Sequence, residues 1–209
     1  MFADRRDAGQ RLGARLRDMA LDRPVVLGLP RGGVPVAREV AAALAAPLDV
    51  IVVRKIGVPG QAEVGMGAVA EDGIVVWNDD IRAQLALPAI ALDASVATAR
   101  AALDERVGRI RAAHPQLPVR GRTAVIVDDG VATGIDARAA CRCARARGAA
   151  RVVLAVPVAP TEWTSRLAGE ADALVAVETD ADFTAVGSYY DDFGQTSDDE
   201  VLACLAPPR

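Results

Sequence analysis

The stretch "VIVDDGVATGIDARAA", Val125 to Ala140, decides how the chain is read. Three β-branched aliphatics, Val125, Ile126 and Val127, run into two adjacent acids, Asp128 and Asp129. A turn of small residues between Gly130 and Gly134 follows, then an alanine-rich run. The aliphatic run bounded by a glycine turn predicts a buried strand, and the alanine-rich run predicts a helix closed by Gly148. Two neighbouring carboxylates are costly there unless a cation or hydroxyl groups face them. The backbone N–H groups of Gly130 to Gly134, the Thr133 hydroxyl and the start of the next helix form an anion cradle. The cradle lacks the Gly-Lys-Ser/Thr of a nucleotide-triphosphatase loop, and no Gly-x-Gly-x-x-Gly follows a strand. An anion nest beside two acids suits a sugar phosphate, with the phosphate in the nest and the hydroxyls on the carboxylates.

The alternation of strand and helix recurs on both sides. "PVVLGLP" predicts a buried strand ending near Leu29, "VPVAREVAAALAA" a helix ended by Pro47, and "LDVIVVRK" a second strand running out into Arg54 and Lys55. "GRTAVIVDD" is the third strand, Asp136 to Arg147 a helix, "RVVLAVPVA" the fourth strand, Thr161 to Ala168 a helix and "ALVAVE" the fifth strand. Continuous aliphatic runs are those of parallel strands covered on both faces. The expected fold class is therefore α/β, a mostly parallel twisted sheet flanked by helices in one domain over residues 1–209. Around it the pattern predicts a helix from Arg5 to Ala20 and a long helix from Ala91 to Ala113 with its arginines outward. A glycine-rich mobile loop and hairpin is expected at about 56–77. A small C-terminal hood is expected at about 178–209, ending in a helix boxed by Ser197 and Glu200.

With 52% hydrophobic and 25% charged residues in 209, the chain is globular rather than disordered. Its net charge of -4 shows no basic footprint, which excludes a general nucleic-acid binder but not a local phosphate pocket. Cys141, Cys143 and Cys204 make an odd set without framework spacing, which points to a reducing compartment and to buried thiols rather than zinc. No stretch has the form of a signal peptide or a membrane span, so a cytoplasmic protein without membrane partners is expected.

In a parallel sheet, ligands bind at the carboxyl ends of strands. Three such ends carry chemistry: Arg31, Gly32 and Gly33; Arg54 and Lys55; and Asp128 to Gly134. Taken alone, "PRGG" also reads as a tight turn and Arg54-Lys55 as a solvated strand terminus. Tyr189, Tyr190 and Phe193 read either as a hood over a base or as tail packing. His114 reads as a solvated helix end, and Trp77 and Trp163 as packing or interface residues. An Asp-nucleophile phosphatase needs Asp-x-Asp, which Asp128-Asp129 does not supply.

Val125 to Asp136 resembles the signature of type I phosphoribosyltransferases, which bind 5-phosphoribosyl 1-pyrophosphate. "LPRGGVPVAREVAAAL" is similar to that family's pyrophosphate loop, and "VIVVRKIG" to the strand leading into its mobile catalytic loop. "YYDDFGQTSDDEV" resembles a bacterial branch of the family. The resemblance implies Mg²⁺-dependent transfer of phosphoribose to a nitrogen acceptor, a nucleobase, with release of pyrophosphate. It implies that Asp128 and Asp129 contact the ribose hydroxyls, steady positive charge on the ring and hold Mg²⁺ directly or through water. Gly130, Val131, Ala132, Thr133, Gly134 and Asp136 would wrap the 5-phosphate. Arg31, Gly32 and Gly33 would hold the pyrophosphate, in this family often through a non-proline cis peptide. Lys55, with Arg54 in support, would neutralise the leaving group under a lid at Gly57 to Gly67, and Tyr189 and Tyr190 would meet the acceptor. A homodimer is the common default. One departure stands out: Asp136 occupies a position where the family usually has Thr or Ser. Facing the phosphate it would repel it; turned outward it would be a favourable first-turn acid. The departure leaves open a non-catalytic regulatory protein that binds phosphoribosyl pyrophosphate or a nucleotide.

Overall fold

The protein is described by a computed structural model covering residues 1–59, 61–85 and 87–206, with backbone alone for residues 61–64. In chain order the elements are α1 (Arg5–Arg17), β1 (Val25–Gly28), α2 (Gly33–Leu44), β2 (Leu48–Val50), β3 (Val53–Val58), β4 (Gln61–Ala70) and β5 (Val75–Trp77). They continue as α3 (Asp79–Leu85), α4 (Ala89–Ala113), β6 (Thr123–Val127), α5 (Ile135–Ala146), β7 (Arg151–Pro160), α6 (Trp163–Arg166), β8 (Ala173–Asp180) and α7 (Asp198–Leu205). The five aliphatic runs form one parallel sheet in the order β2-β1-β6-β7-β8. Every residue of β1 and β6 is buried, as strands covered on both faces require.

The second predicted strand is in fact two. β2 pairs with β1, but β3 leaves the parallel sheet and joins β4 and β5 in a three-stranded antiparallel sheet. "VIVV" is apolar throughout, so the pattern carries no sign of where the chain changes partner. The change is held by a buried ionic knot. Arg111 of α4 donates to Asp49 Oδ1 at 2.6 Å and to Glu71 at 3.2 Å. Arg147 donates to Glu71 Oε2 at 2.9 Å, and the Val52 N–H donates to Glu71 Oε1 at 2.8 Å. Asp49 is fully buried, and Arg111 with the Val50 and Leu117 N–H groups replaces the water its charge has lost. The excursion at 56–77 is thus largely strand. Residue 60 and the side chain of Glu63 lie outside the described residues.

Smaller differences follow from local chemistry. α1 stops at Arg17, and α6 is a single turn. α3 went unread in "DDIRAQL" because seven residues give too short a period; the Asn78 side chain accepts the Ile81 N–H at its start. The arginines of α4 are not all outward: Arg111 turns into the knot and Arg106 is half-buried. His114 is not a solvated end but a partly buried side chain with Nε2 3.7 Å from Asp49. The Ser197–Glu200 capping box is present at α7, Trp163 is buried, and Cys141 and Cys143 are buried free thiols. Among the described residues no helix is long and apolar enough to cross a membrane.

The sheet order reverses direction between β1 and β6, and that is where the loops after these strands meet. Gly28 is level with Val127, and one residue further the Leu29 N–H donates to the Val127 carbonyl at 2.9 Å. The Pro30–Gly33 turn and the Asp128–Gly134 loop therefore leave the sheet side by side.

Candidate active site

At this switch point Lys55, Asp128, Asp129, the loop from Gly130 to Gly134, and Asp136 line one cleft of about 240 Å³, with Val186 on its wall. Gly134 adopts a left-handed backbone (φ 80°) immediately before α5, so the loop turns into the helix start at the cleft, while the Val131 N–H is spent on the Val158 carbonyl at 3.0 Å. Lys55 arrives from the antiparallel sheet and is 61% exposed.

The acid pair is built into the protein unequally. The Asp129 N–H donates to Asp128 Oδ1 at 2.9 Å. Burial, then the neighbouring Asp129 charge, hold Asp128 well above the usual carboxylate range. Burial also raises Asp129, but the Arg5 guanidinium opposes it, with Nε donating to Asp129 Oδ2 at 2.9 Å. Both side chains of that pair are about 85% buried, at 13% and 15% exposure. Arg5 also donates to the Gly194 carbonyl at 2.6 Å and lies 4.0 Å from the centre of the Phe193 ring. It ties α1, the acid pair and the tail together. No pattern in "DRRDAGQ" marks Arg5, because its partner is 124 residues away.

Gly32 and Gly33 press on the acids from behind. A Cβ at Gly32 would lie 1.9 Å from Asp129 Oδ2, and one at Gly33 would lie 2.7 Å from the Val127 carbonyl oxygen. Only glycine lets the two loops approach this closely. The Pro30–Arg31 peptide is cis.

Asp136 does not point away. Its carboxylate faces the cleft with Oδ2 3.9 Å from Lys55 Nζ, and Oδ1 is buried without a hydrogen-bond partner among the described residues. Burial raises its pKa and Lys55 opposes the shift. Arg31 and Arg54 are exposed and stand outside this cleft. The two tyrosines present no open ring to it. Tyr190 is 6% exposed, packed between Phe2 and Phe193, and its hydroxyl donates to the Asp129 carbonyl at 2.5 Å. Tyr189 donates to Asp180 at 2.6 Å and stacks on Phe183. Tyr190 thus acts on the site as a prop beneath Asp129.

The sequence profile of the phosphoribosyl transferase domain matches residues 7–192, from α1 to the tail that carries Tyr190. The chain belongs to the phosphoribosyl transferase family. Among curated relatives, a Mycobacterium tuberculosis protein provisionally named phosphoribosyl transferase Rv0571c is 54% identical over 205 residues, 98% of this chain and 46% of the relative. This phosphoribosyl transferase chain therefore spans about half the length of the curated relatives it matches. Among solved structures, TT1426 from Thermus thermophilus is 46% identical with a TM-score of 0.83, covering 98% of this chain and 97% of that one. A hypothetical protein from Neisseria gonorrhoeae, solved with bound ppGpp, is 13% identical with a TM-score of 0.54, covering 96% and 90% of the two chains. That likeness extends to the fold alone.

Proposed function

We propose that this phosphoribosyl transferase moves a 5-phosphoribosyl group from 5-phosphoribosyl 1-pyrophosphate to a nitrogen acceptor, a nucleobase, and releases pyrophosphate. One observation carries the reading: the acid pair, the glycine-bounded loop and Lys55 share a single cleft at the switch point of the sheet. The bond from the anomeric carbon to the pyrophosphate oxygen breaks with its electron pair leaving on pyrophosphate. The acceptor nitrogen supplies the pair for the new bond, and its proton passes to water.

In this reading the loop N–H groups other than that of Val131, with Thr133, hold the 5-phosphate, and the sugar hydroxyls donate to Asp128 and to the Asp129 oxygen that Arg5 leaves free. The largely buried carboxylates stand against the ring where positive charge develops, a fixed field that needs no reorganisation. Lys55, exposed within β3, closes on the leaving pyrophosphate from the other side. Gly32 and Gly33 bring the Arg31 turn against the acids.

The two carboxylates are hard oxygen donors at the cleft, and burial holds Asp128 above its ordinary pKa with no cation in contact among the described residues, which fits a Mg²⁺ ion held here. When bound, that ion would neutralise charge on the pyrophosphate and ribose oxygens. Among the described residues no three such side chains are placed to hold one ion, so Asp128 and Asp129 would share it with substrate oxygens and water. Buried reduced thiols at Cys141 and Cys143 support a cytoplasmic setting.

The test is acceptor-dependent pyrophosphate release across a panel of purines and pyrimidines. Release with at least one base is the expected result; tight donor binding with no turnover on any base refutes the enzyme. Asp136 favours a second reading, a regulatory protein that binds the donor or a nucleotide without turnover, because its carboxylate faces the phosphate loop. Asp136→Thr separates the two. A large gain in donor affinity without turnover supports the regulatory protein, and turnover in the parent rules it out.

A further inference from the structure

The cleft contains a buried polar atom for which the functional reading has no use. Asp136 is the second residue of α5, two positions after the left-handed turn at Gly134, and its side chain lines the cleft together with the loop from Gly130 to Gly134. Its Oδ1 is buried and has no hydrogen-bond partner among the described residues. Its Oδ2 lies 3.9 Å from Lys55 Nζ, too far for a hydrogen bond. The other two acids of the cleft are answered: Asp128 Oδ1 accepts the Asp129 N–H at 2.9 Å, and Asp129 Oδ2 accepts from Arg5 Nε at 2.9 Å.

An ionised carboxylate with a buried, unpaired oxygen is costly, and one that must also meet a phosphate is costlier. A proton removes both penalties. The neutral acid carries an O–H, and a phosphate oxygen is a strong acceptor for it. The charged groups that share the cleft with Asp136 are Lys55 from β3 and the acids Asp128 and Asp129 from the loop after β6. Burial raises the Asp136 pKa, and Lys55 opposes the shift without cancelling it. A carboxylic acid kept neutral by its surroundings can serve as a hydrogen-bond donor to an anion.

We propose that Asp136 binds the 5-phosphate as a neutral carboxylic acid, its O–H donating to a phosphate oxygen, and that binding draws one proton from the solvent onto this side chain. The loop then accepts a phosphate dianion and a proton together, so affinity rises as pH falls. The inference rests on the functional reading above for the phosphate that enters the loop, and it requires no turnover.

The experiment is calorimetric titration of the full chain with ribose 5-phosphate, without added metal, between about pH 7 and about pH 9, where a phosphate monoester with a second pKa near 6 stays a dianion. Each titration is repeated in two buffers of different ionisation enthalpy, which counts the protons taken up. The parent should take up a proton on binding, approaching one per ligand, and its affinity should fall by up to about tenfold per pH unit as pH rises. Asp136→Asn keeps the shape and a donor but cannot titrate. It should take up no proton and hold its affinity within about twofold across the range. Asp136→Thr offers an uncharged hydroxyl and should be equally flat, exceeding the parent only at the alkaline end. Loss of packing alone would lower affinity without changing the proton count. If one variant fails to fold, the other decides the matter. Proton uptake that persists in a folded variant, or a parent affinity independent of pH, overturns the inference and leaves the functional reading standing. A parent that binds no ribose 5-phosphate at any of these pH values removes both.

Discussion

Gly32→Ala tests how tightly the two loops of the site are joined. Gly32 has ordinary backbone angles (φ -63°, ψ -30°), so a side chain there meets no conformational penalty, only lack of space. Its Cβ would lie 1.9 Å from Asp129 Oδ2 and 2.7 Å from Cγ, whereas ordinary contacts begin near 3.4 Å. The carboxylate must withdraw by about 1.5 Å at the least, since the backbone on both sides is held by the sheet. That breaks the 2.9 Å bond from Arg5. A hydrogen bond to a charged group contributes about 1.5–3 kcal/mol, and overpacking costs about 1–3 kcal/mol. The expected loss is about 3–5 kcal/mol, which for a chain of this size lowers the melting temperature by roughly 6–20 °C. Gly108→Ala is the control: it lies within α4, nothing stands within 4 Å of its Cβ, and it should gain about 0.5–1 kcal/mol. Urea unfolding followed by tryptophan fluorescence measures all three proteins. The decisive comparison places Gly32→Ala in an Asp129→Ala background, where the obstacle is gone and the substitution should be close to neutral. A full loss persisting there, or a loss under 1 kcal/mol in the parent, refutes the reasoning.

Three further outcomes follow from the same geometry. Arg5→Met leaves Asp129 uncompensated beside Asp128 and should cost about 3–5 kcal/mol; Asp129→Asn added to it should restore much of that in a double-mutant cycle, and no coupling between the two would break the argument. Asp128 is an acid whose folded pKa is raised, so its contribution is most favourable below the unfolded value near 3.9 and is lost as pH rises through the folded value. Asp128→Asn should therefore gain urea stability over the parent progressively as pH rises above about 4, while losing the transferase activity proposed above; a stability difference independent of pH contradicts this. Lys55→Ala removes a long 3.9 Å pair between an exposed lysine and the half-buried Asp136 and should change stability by less than about 1 kcal/mol, yet lower the proposed rate of pyrophosphate release by about 10²-fold or more.

The parallel sheet and the loop after β6 were legible because unbroken aliphatic runs and glycine turns are local signals. The acid pair followed, since two carboxylates at a strand end demand a reason. What was not legible depends on distance or on direction. Arg5 meets Asp129 across most of the chain, and nothing near either residue announces the other. The partner change after Val50 is invisible in an apolar run, and its cause, the Asp49–Arg111–Glu71 knot, is assembled from three separated segments. Asp136 could be placed at the first turn of α5 but not turned inward or outward, because both orientations satisfy the sequence. Arg106 and Arg111 sit on a helix whose apolar stripe is too weak to fix its faces, and they go inward because acids wait for them there.

The hydrogen bond from Leu29 to Val127, with Gly32 seated against Asp129, leaves the two loops no room to vary separately. Any bulk gained at residue 32 must be matched by bulk surrendered at 129, and any charge lost at 129 strands the arginine at residue 5. Three positions scattered over 125 residues of chain thus behave as one heritable unit, so a lineage that abandons the acid would be expected to shed all three together.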